Sequence, residues 1–314
     1  MPHVFWMTLI GALGLLCITT ATGAVLGARM GAGNPLVRNL NERTAAWWLM
    51  IAAVTVALSL GTGATLVLFF VCSFLALREF MTLTPTKPAD YWPLVLTYYV
   101  ALPAQYVILA FNWWALAAVF IPVYVFGGLA SAAAFSQDTE DFLERNATIN
   151  WAVMVCIYSL SHAPALLLLK FPCHFSNNGL LLFFLLLVVQ SSEVFQYVCN
   201  RLWGKHKLAP LVSAARTWEG LLGGGALAIG LGTLLHGLTP FNVWQAAGMS
   251  AVTVVAGFFG GFVLSAVKRS LGAKDWGHLV AGHGGMLDRV DSICFAAPIF
   301  FHLTRFSSLK PDAA

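Results

Sequence analysis

Long apolar runs separated by short polar stretches dominate the chain. Runs near 4–27, 46–60, 62–77, 92–110, 113–134, 150–169, 179–198, 220–238, 243–266 and 290–304 are built mainly of Leu, Val, Ala, Phe and Gly. About 20 apolar residues in a helix cross a bilayer, so the pattern predicts an all-α polytopic membrane protein with about nine or ten transmembrane helices. The stretch from Trp47 to Leu77 is too long for one span, and Gly61-Thr62-Gly63 is expected to fold it into a tight hairpin. The opening run has no Lys or Arg before Phe5, and it is expected to be a retained helix rather than a cleaved signal.

Composition agrees with that pattern. Of 314 residues, 59% are hydrophobic and 10% are charged, whereas a soluble domain carries roughly 25% charged residues. With a mean hydropathy of +0.79, too few charges remain to make a water-facing skin. The net charge of +4 is too small to suggest nucleic acid. The six cysteines lack metal-ligand spacing and are expected to be small core residues.

Where the cations sit tests the topology. With ten spans and the N-terminus outside, only Lys170, Arg305 and Lys310 fall in outer segments, and the other Lys and Arg residues fall in cytoplasmic loops, as the positive-inside rule requires. The polar stretches Arg29–Thr44 and Phe135–Asn150 are too short to fold alone. Chemistry is therefore expected at the cytoplasmic face, and compact loops without targeting tails favour a bacterial inner membrane. Arg78 and Glu79 read as an interfacial ion pair, and Asp138, Glu140, Asp141 and Glu144 as a solvated loop face. The Trp pairs 47–48 and 113–114 read as an aromatic belt.

The densest polar segment follows the ninth run. It holds Ser265, Lys268, Arg269, Lys274, Asp275, Gly277, Gly282, His283, Gly284, Gly285, Asp288, Arg289 and Asp291. Carboxylate oxygens suit Mg²⁺, and Lys and Arg suit phosphate. A helix beginning just before Asp288 places Asp288 and Asp291, spaced i and i+3, on one face. The alternative is a loop whose acids merely pair with its cations, although that reading leaves the glycine pair unexplained. Upstream, Glu193, Gln196, Tyr197, Asn200, Arg201, Gly204 and Lys205 precede Ser213, Arg216, Thr217, Trp218, Glu219 and Gly220. Glu193 lies inside an apolar run, where a charge is costly and marks function.

The downstream segment resembles the motif of the phosphatidate cytidylyltransferases, in which Ser, Lys-Arg, Lys-Asp, His-Gly-Gly and Asp-Arg-x-Asp recur at fixed spacing. Val280 or its neighbour Leu279 stands at the motif's aliphatic site. The upstream block is similar to a second pattern of the family but departs from it. Glu193 replaces an Asp, Asn200 a Gly, Ala214 a Pro and Arg216 a Lys, which suggests a divergent bacterial paralogue.

The resemblance implies attack by the phosphate of phosphatidic acid on the α-phosphorus of CTP, giving CDP-diacylglycerol and pyrophosphate. It implies Mg²⁺ as cofactor, with Asp275, Asp288, Asp291 and Glu193 as ligands. Lys274 and His283 join the catalytic set, His283 as a phosphate donor or loop organiser rather than a base. Lys205, Arg216, Lys268, Arg269, Arg289, Ser265, Thr217, Tyr197, Gly284 and Gly285 are expected to bind substrate. Residues 151–314 form the expected catalytic region, and residues 1–150 a scaffold that could add a lipid groove or contacts of a homodimer. The rivals are a CTP transferase for another lipid phosphate, a transporter, and a catalytically silent lipid-binding relative. Few acids lie at mid-membrane, which weighs against the transporter.

Overall fold

The computed structural model describes residues 35–171, 178–277 and 284–308, with scattered positions between Cys17 and Arg29. The expected first span lies mostly outside the described residues. Among the described residues the long helices are α1 (Pro35–Leu60), α2 (Thr62–Leu83), α3 (Pro88–Ala110), α4 (Trp114–Phe135), α5 (Phe142–Leu168), α6 (Gly179–Trp203), α7 (Trp218–Leu234), α8 (Val243–Ser270) and α9 (Leu287–Ser308). Between α6 and α7 lies an antiparallel hairpin of β1 (Lys207–Ala209) and β2 (Ser213–Thr217), pairing Lys207 with Thr217 and Ala209 with Ser213. Among the described residues, α2, α3, α4, α5, α6 and α8 are long and apolar enough to cross a membrane. The protein is an all-α polytopic membrane protein.

Local sequence explains the breaks. Gly61, at φ +99°, ends α1 in a conformation that glycine adopts without steric cost, so the expected hairpin between α1 and α2 is present. The first arm is longer than its apolar run, because the helix starts at Pro35 rather than near residue 46. Wider π turns occur at Thr97–Ala101, Phe120–Val125 and Met154–Ser159. Each contains or closely precedes a proline, Pro103, Pro122 or Pro164, and a proline removes an N–H and crowds the carbonyl one turn back. Asn242 starts α8 with a reciprocal cap: its Oδ1 accepts from the Gln245 N–H at 2.9 Å, and its own N–H donates to Gln245 Oε1 at 3.1 Å.

The core runs through α2, α5, α6 and α9, with Leu77, Phe80, Leu160, Leu181, Phe184 and Phe300 fully buried. Helix α6 packs on α7, α8 on α9, and α2 on both α5 and α9. Large apolar side chains such as Val67, Val107, Leu222 and Val255 stay exposed, as a lipid-facing surface requires. Cys156, Cys199 and Cys294 are buried and Cys72 partly so, whereas Cys17 is exposed and so departs from the expected core role.

One end of the bundle is tied by ions. Arg145 on α5 donates from Nη1 to Asp138 Oδ2 at 2.6 Å, and its Nε lies 3.3 Å from Asp90 Oδ1. Lys87 meets Glu140 at 2.8 Å and Asp141 at 3.5 Å. The loop expected to be a solvated face is therefore partly a clasp between the α2–α3 and α4–α5 connections, and of its four acids Glu144 is the one for which the described residues show no ion pair. The Arg145 guanidinium holds Asp138 below the usual carboxylate range.

Replacing Arg145 with Ala removes the ion partner of Asp90, which is only 2% exposed, and should destabilise the protein, measured as a lower unfolding midpoint in detergent. A carboxylate lowered on folding stabilises above its unfolded value, here 3.8, and loses that contribution as pH falls through the folded one. The gap between variant and parent should therefore narrow in acid, and an equal midpoint at neutral pH would contradict this clasp.

Candidate active site

The last turn of α8, the first turns of α9 and the loop between them carry most of the expected site residues. Lys268 near the end of α8 pairs with Asp288 in the first turn of α9, Nζ to Oδ1 at 2.5 Å, with both side chains about nine-tenths buried. The other oxygen of Asp288 accepts from the backbone N–H groups of Trp276 at 2.8 Å and Gly285 at 2.9 Å. Asp288 thus holds both limbs of the loop against α8. Gly284 sits at φ +78°, and a Cβ there would lie 2.5 Å from Asp288 Oδ2, so the glycine both takes the turn and makes room for the carboxylate.

The remaining loop residues divide by exposure. Lys274 and Asp275 are exposed, and Asp275 lies beside Gly284. Exposed Arg269 donates to the Ala273 carbonyl at 3.3 Å and so braces its own turn. Ser265 is turned inward on α8, donating to the Gly261 carbonyl at 2.6 Å. His283, Gly282, Val280 and Leu279 lie outside the described residues.

A second cluster forms one turn further along α9. Asp291 Oδ1 accepts from the Ser292 N–H at 2.6 Å and from its hydroxyl at 3.3 Å. The α8 pair Gly260-Gly261 lets α9 approach closely: a Cβ on Gly260 would meet the Asp291 carbonyl at 2.6 Å. Arg216 uses the same opening from β2. A Cβ on Gly261 would lie 2.6 Å from Arg216 Nη2 and 3.5 Å from Asp291 Oδ2. Arg216 donates from Nη1 to the Phe258 carbonyl at 3.0 Å, and its guanidinium stands 5.1 Å over the Phe258 ring. A planar guanidinium suits that carbonyl and ring together better than an ammonium would.

Glu193 on α6 completes this cluster. It lines a cavity of about 20 Å³ with Ser192, Gln196, Arg216, Thr253 and Ser292, room for roughly one water molecule or small ion. Glu193 is itself exposed at the rim, while Ser192, Gln196, Thr253 and Ser292 are buried. Asp291, Arg216 and Arg289 all act on it electrostatically. Two carboxylates therefore share the neighbourhood of Arg216, at a depth where charges persist only if they face one another or water.

The upstream block folds around Asn200. Its Oδ1 accepts from the Thr217 N–H at 2.9 Å and from the Thr217 hydroxyl at 2.6 Å, and Thr217 Oγ1 in turn accepts from the Gly220 N–H at 3.1 Å as the cap of α7. Glu219 accepts from the backbone N–H groups of Lys205 at 3.3 Å and His206 at 3.2 Å. Thr217 is thus committed to the fold, whereas the Lys205 and Tyr197 side chains are exposed.

Two residues missed from the sequence belong here. Among the described residues no ion pair joins Arg78 to Glu79. Instead, Glu79 is buried on α2 and accepts from the N–H groups of Met286 and Leu287, each at 2.8 Å. Its neighbour Phe80 stacks on buried Trp276, with centroids 5.1 Å apart and planes at 20°. Adjacent residues on a helix do not face each other, which argues against pairing 78 with 79, and a lone carboxylate in an apolar run was the available signal.

Carboxylate oxygens are the right donors for Mg²⁺, but among the described residues no three acidic, His or Cys side chains converge on one point. Mg²⁺ is commonly held by one or two carboxylates, with water and substrate phosphates completing the shell. Glu193, which lines the cavity, and its charged neighbour Asp291 fit that partial set, and Asp275 is exposed on the loop beside Gly284. Asp288 already accepts three bonds.

Residues 41–307 match the cytidylyltransferase family. The chain is 36% identical over 266 residues to the uncharacterized protein YnbB of Escherichia coli, covering 84% of this chain and 87% of that protein. It is 40% identical over 121 residues to the phosphatidate cytidylyltransferase of Mycobacterium leprae, covering 37% of this chain and 38% of that enzyme. With the phosphatidate cytidylyltransferase of Brucella abortus the identity is 39% over 119 residues, 38% of this chain and 44% of that enzyme.

The Lys268–Asp288 pair can be tested without any assay of activity. Lys268→Met and Asp288→Asn should each lower the unfolding midpoint, and the double variant should cost less than their sum by about 1–3 kcal/mol. Strict additivity would mean that the pair does not hold the loop.

Proposed function

This chain belongs to the cytidylyltransferase family, and on that premise we propose that it transfers the cytidylyl group of CTP to phosphatidic acid, giving CDP-diacylglycerol and pyrophosphate. The observation that carries the reading is that Glu193 and Arg216 line one small cavity, with Asp291 a charged neighbour of both. Cation-binding and anion-binding groups side by side are what joining a nucleotide to a lipid phosphate needs.

The lipid phosphate oxygen forms a bond to the α-phosphorus of CTP, and the bond from that phosphorus to the bridging oxygen of the β-phosphate breaks. The attacking phosphate is already ionised at neutral pH, so no side chain need remove its proton. The task left to the protein is to bring two anions together in line. Glu193 and Asp291 would hold Mg²⁺, with Asp275 as a further ligand from the loop. When bound, the ion neutralises phosphate charge and polarises the α-phosphorus. Arg216 supplies a fixed positive charge between the two carboxylates. Exposed Lys205 and Lys274 would meet the triphosphate together with Arg269, which also braces its own turn, and Arg289 flanks the acidic pair. Lys268 and Asp288 fasten the loop, and Asp288, also expected as a metal ligand, already accepts from Lys268 and two backbone N–H groups. The site faces the cytoplasm, where CTP is supplied, across a bacterial inner membrane.

A second reading, transfer to another lipid phosphate, draws support from Glu193 and Arg216, which depart from the motif and line the cavity. It also draws support from the limited overlap with the phosphatidate enzymes, which stays under half of their length.

Purified protein in detergent, given labelled CTP, a panel of lipid phosphates and Mg²⁺, should form a CDP-lipid with phosphatidic acid and stop when chelator is added. Asp291→Asn should lower kcat by roughly 10²-fold or more, as loss of a metal or electrostatic group does. Preference for a different lipid phosphate would favour the second reading, and no product from any acceptor would overturn both.

A further inference from the structure

Glu79 lies far from the signature segment in sequence, yet it touches that segment at both limbs. Oε1 accepts from the Met286 N–H and Oε2 from the Leu287 N–H, both at 2.8 Å. These are the residues where the loop becomes α9, and the first N–H groups of a helix have no partner within it. A carboxylate there satisfies two of them and meets the positive end of the helix dipole.

The loop is shaped to admit this side chain. A Cβ on Gly285 would lie 2.2 Å from Glu79 Oε2, and one on Gly277, on the incoming limb, 3.0 Å from Oε1. Phe80 adds a ring stacked on Trp276 of the same limb. Asp288 reaches the N–H groups of Trp276 and Gly285 from the other side. The loop backbone is therefore gripped between an acid on α2 and an acid on α9.

We infer that Glu79 is a positioning residue for cytidylyl transfer: bound to the backbone of Met286 and Leu287, it sets where the first turns of α9 present Asp288, Arg289 and Asp291. The inference rests on the transferase reading for its kinetic consequence. It gives the N-terminal helices a direct part in the site, since the register of α2 fixes that of α9. Glu79 touches neither substrate nor metal in this account and acts only through the backbone it holds.

Glu79→Gln keeps the length of the side chain and one acceptor but turns an amide N–H₂ toward a backbone N–H. Gly285→Ala disturbs the same contact from the opposite side. In folded, purified enzyme each change should lower kcat by roughly 10- to 10²-fold, the scale of loss caused by small misplacements of reacting groups. KM for CTP should stay within about threefold, because the exposed phosphate-binding cations are untouched. The double variant should be no worse than the poorer single one, since both break one contact. Glu79→Asp retains the charge and should recover part of the lost kcat. Parental kcat in Glu79→Gln, or a deficit that merely tracks a smaller folded fraction, would overturn the inference.

Amide exchange read on a peptide covering residues 284–290 supplies an arm independent of catalysis. Faster exchange at Met286 and Leu287 in Glu79→Gln supports the contact, and unchanged exchange overturns it. If the parent makes no CDP-lipid, the transferase reading fails, and the exchange arm alone decides whether Glu79 holds the loop.

Discussion

The first turns of α9 can stand where they do only because acidic groups on three helices answer cations and unpaired backbone donors at the same level. Glu79 on α2 and Asp288 on α9 hold the N–H groups of the loop and helix start. Lys268 on α8 answers Asp288, and Arg216 from the hairpin stands among Glu193, Asp291 and the Phe258 carbonyl. Each of these groups is a partner of another, so each depends on the others.

That mutual dependence gives a membrane enzyme a fixed electrostatic frame at the surface where its substrates meet. The cavity beside Glu193 is small, about 20 Å³, which suits one ion or water rather than a nucleotide. On the proposed reading the nucleotide and the lipid headgroup would lie outside it, over the exposed Lys205, Arg269, Lys274 and Asp275. Small residues at α8 positions 260 and 261 are what let Arg216 and Asp291 come so near each other, and any larger side chain would move one of them.

Much of this was legible from residue patterns. The apolar runs foretold the helices because hydropathy in lipid leaves little choice of structure, and Gly61 foretold the first hairpin. The spacing of Asp288 and Asp291 foretold their place at the head of α9. The partners of each charge were less legible, because a loop motif states which residues are present and not which atoms meet. Lys268 and Asp288 look like a phosphate ligand and a metal ligand, yet they bind each other. Glu79 looks like half of a surface ion pair, yet its partners are backbone donors some 207 positions away in sequence. Asn200 looks like a departure from a glycine, yet its side chain anchors the cap of α7. Long-range contacts of this kind follow from helix packing, and periodicity within one helix carries no record of them.

The proposed reaction requires Glu193 and Asp291 to act as one cation-binding pair. Mn²⁺ in place of Mg²⁺, followed by electron paramagnetic resonance with a non-hydrolysable CTP analogue present, measures this directly. The parent protein should bind Mn²⁺ stoichiometrically, and Glu193→Gln and Asp291→Asn should each weaken that binding by about tenfold or more. Binding undiminished in both variants would contradict the account.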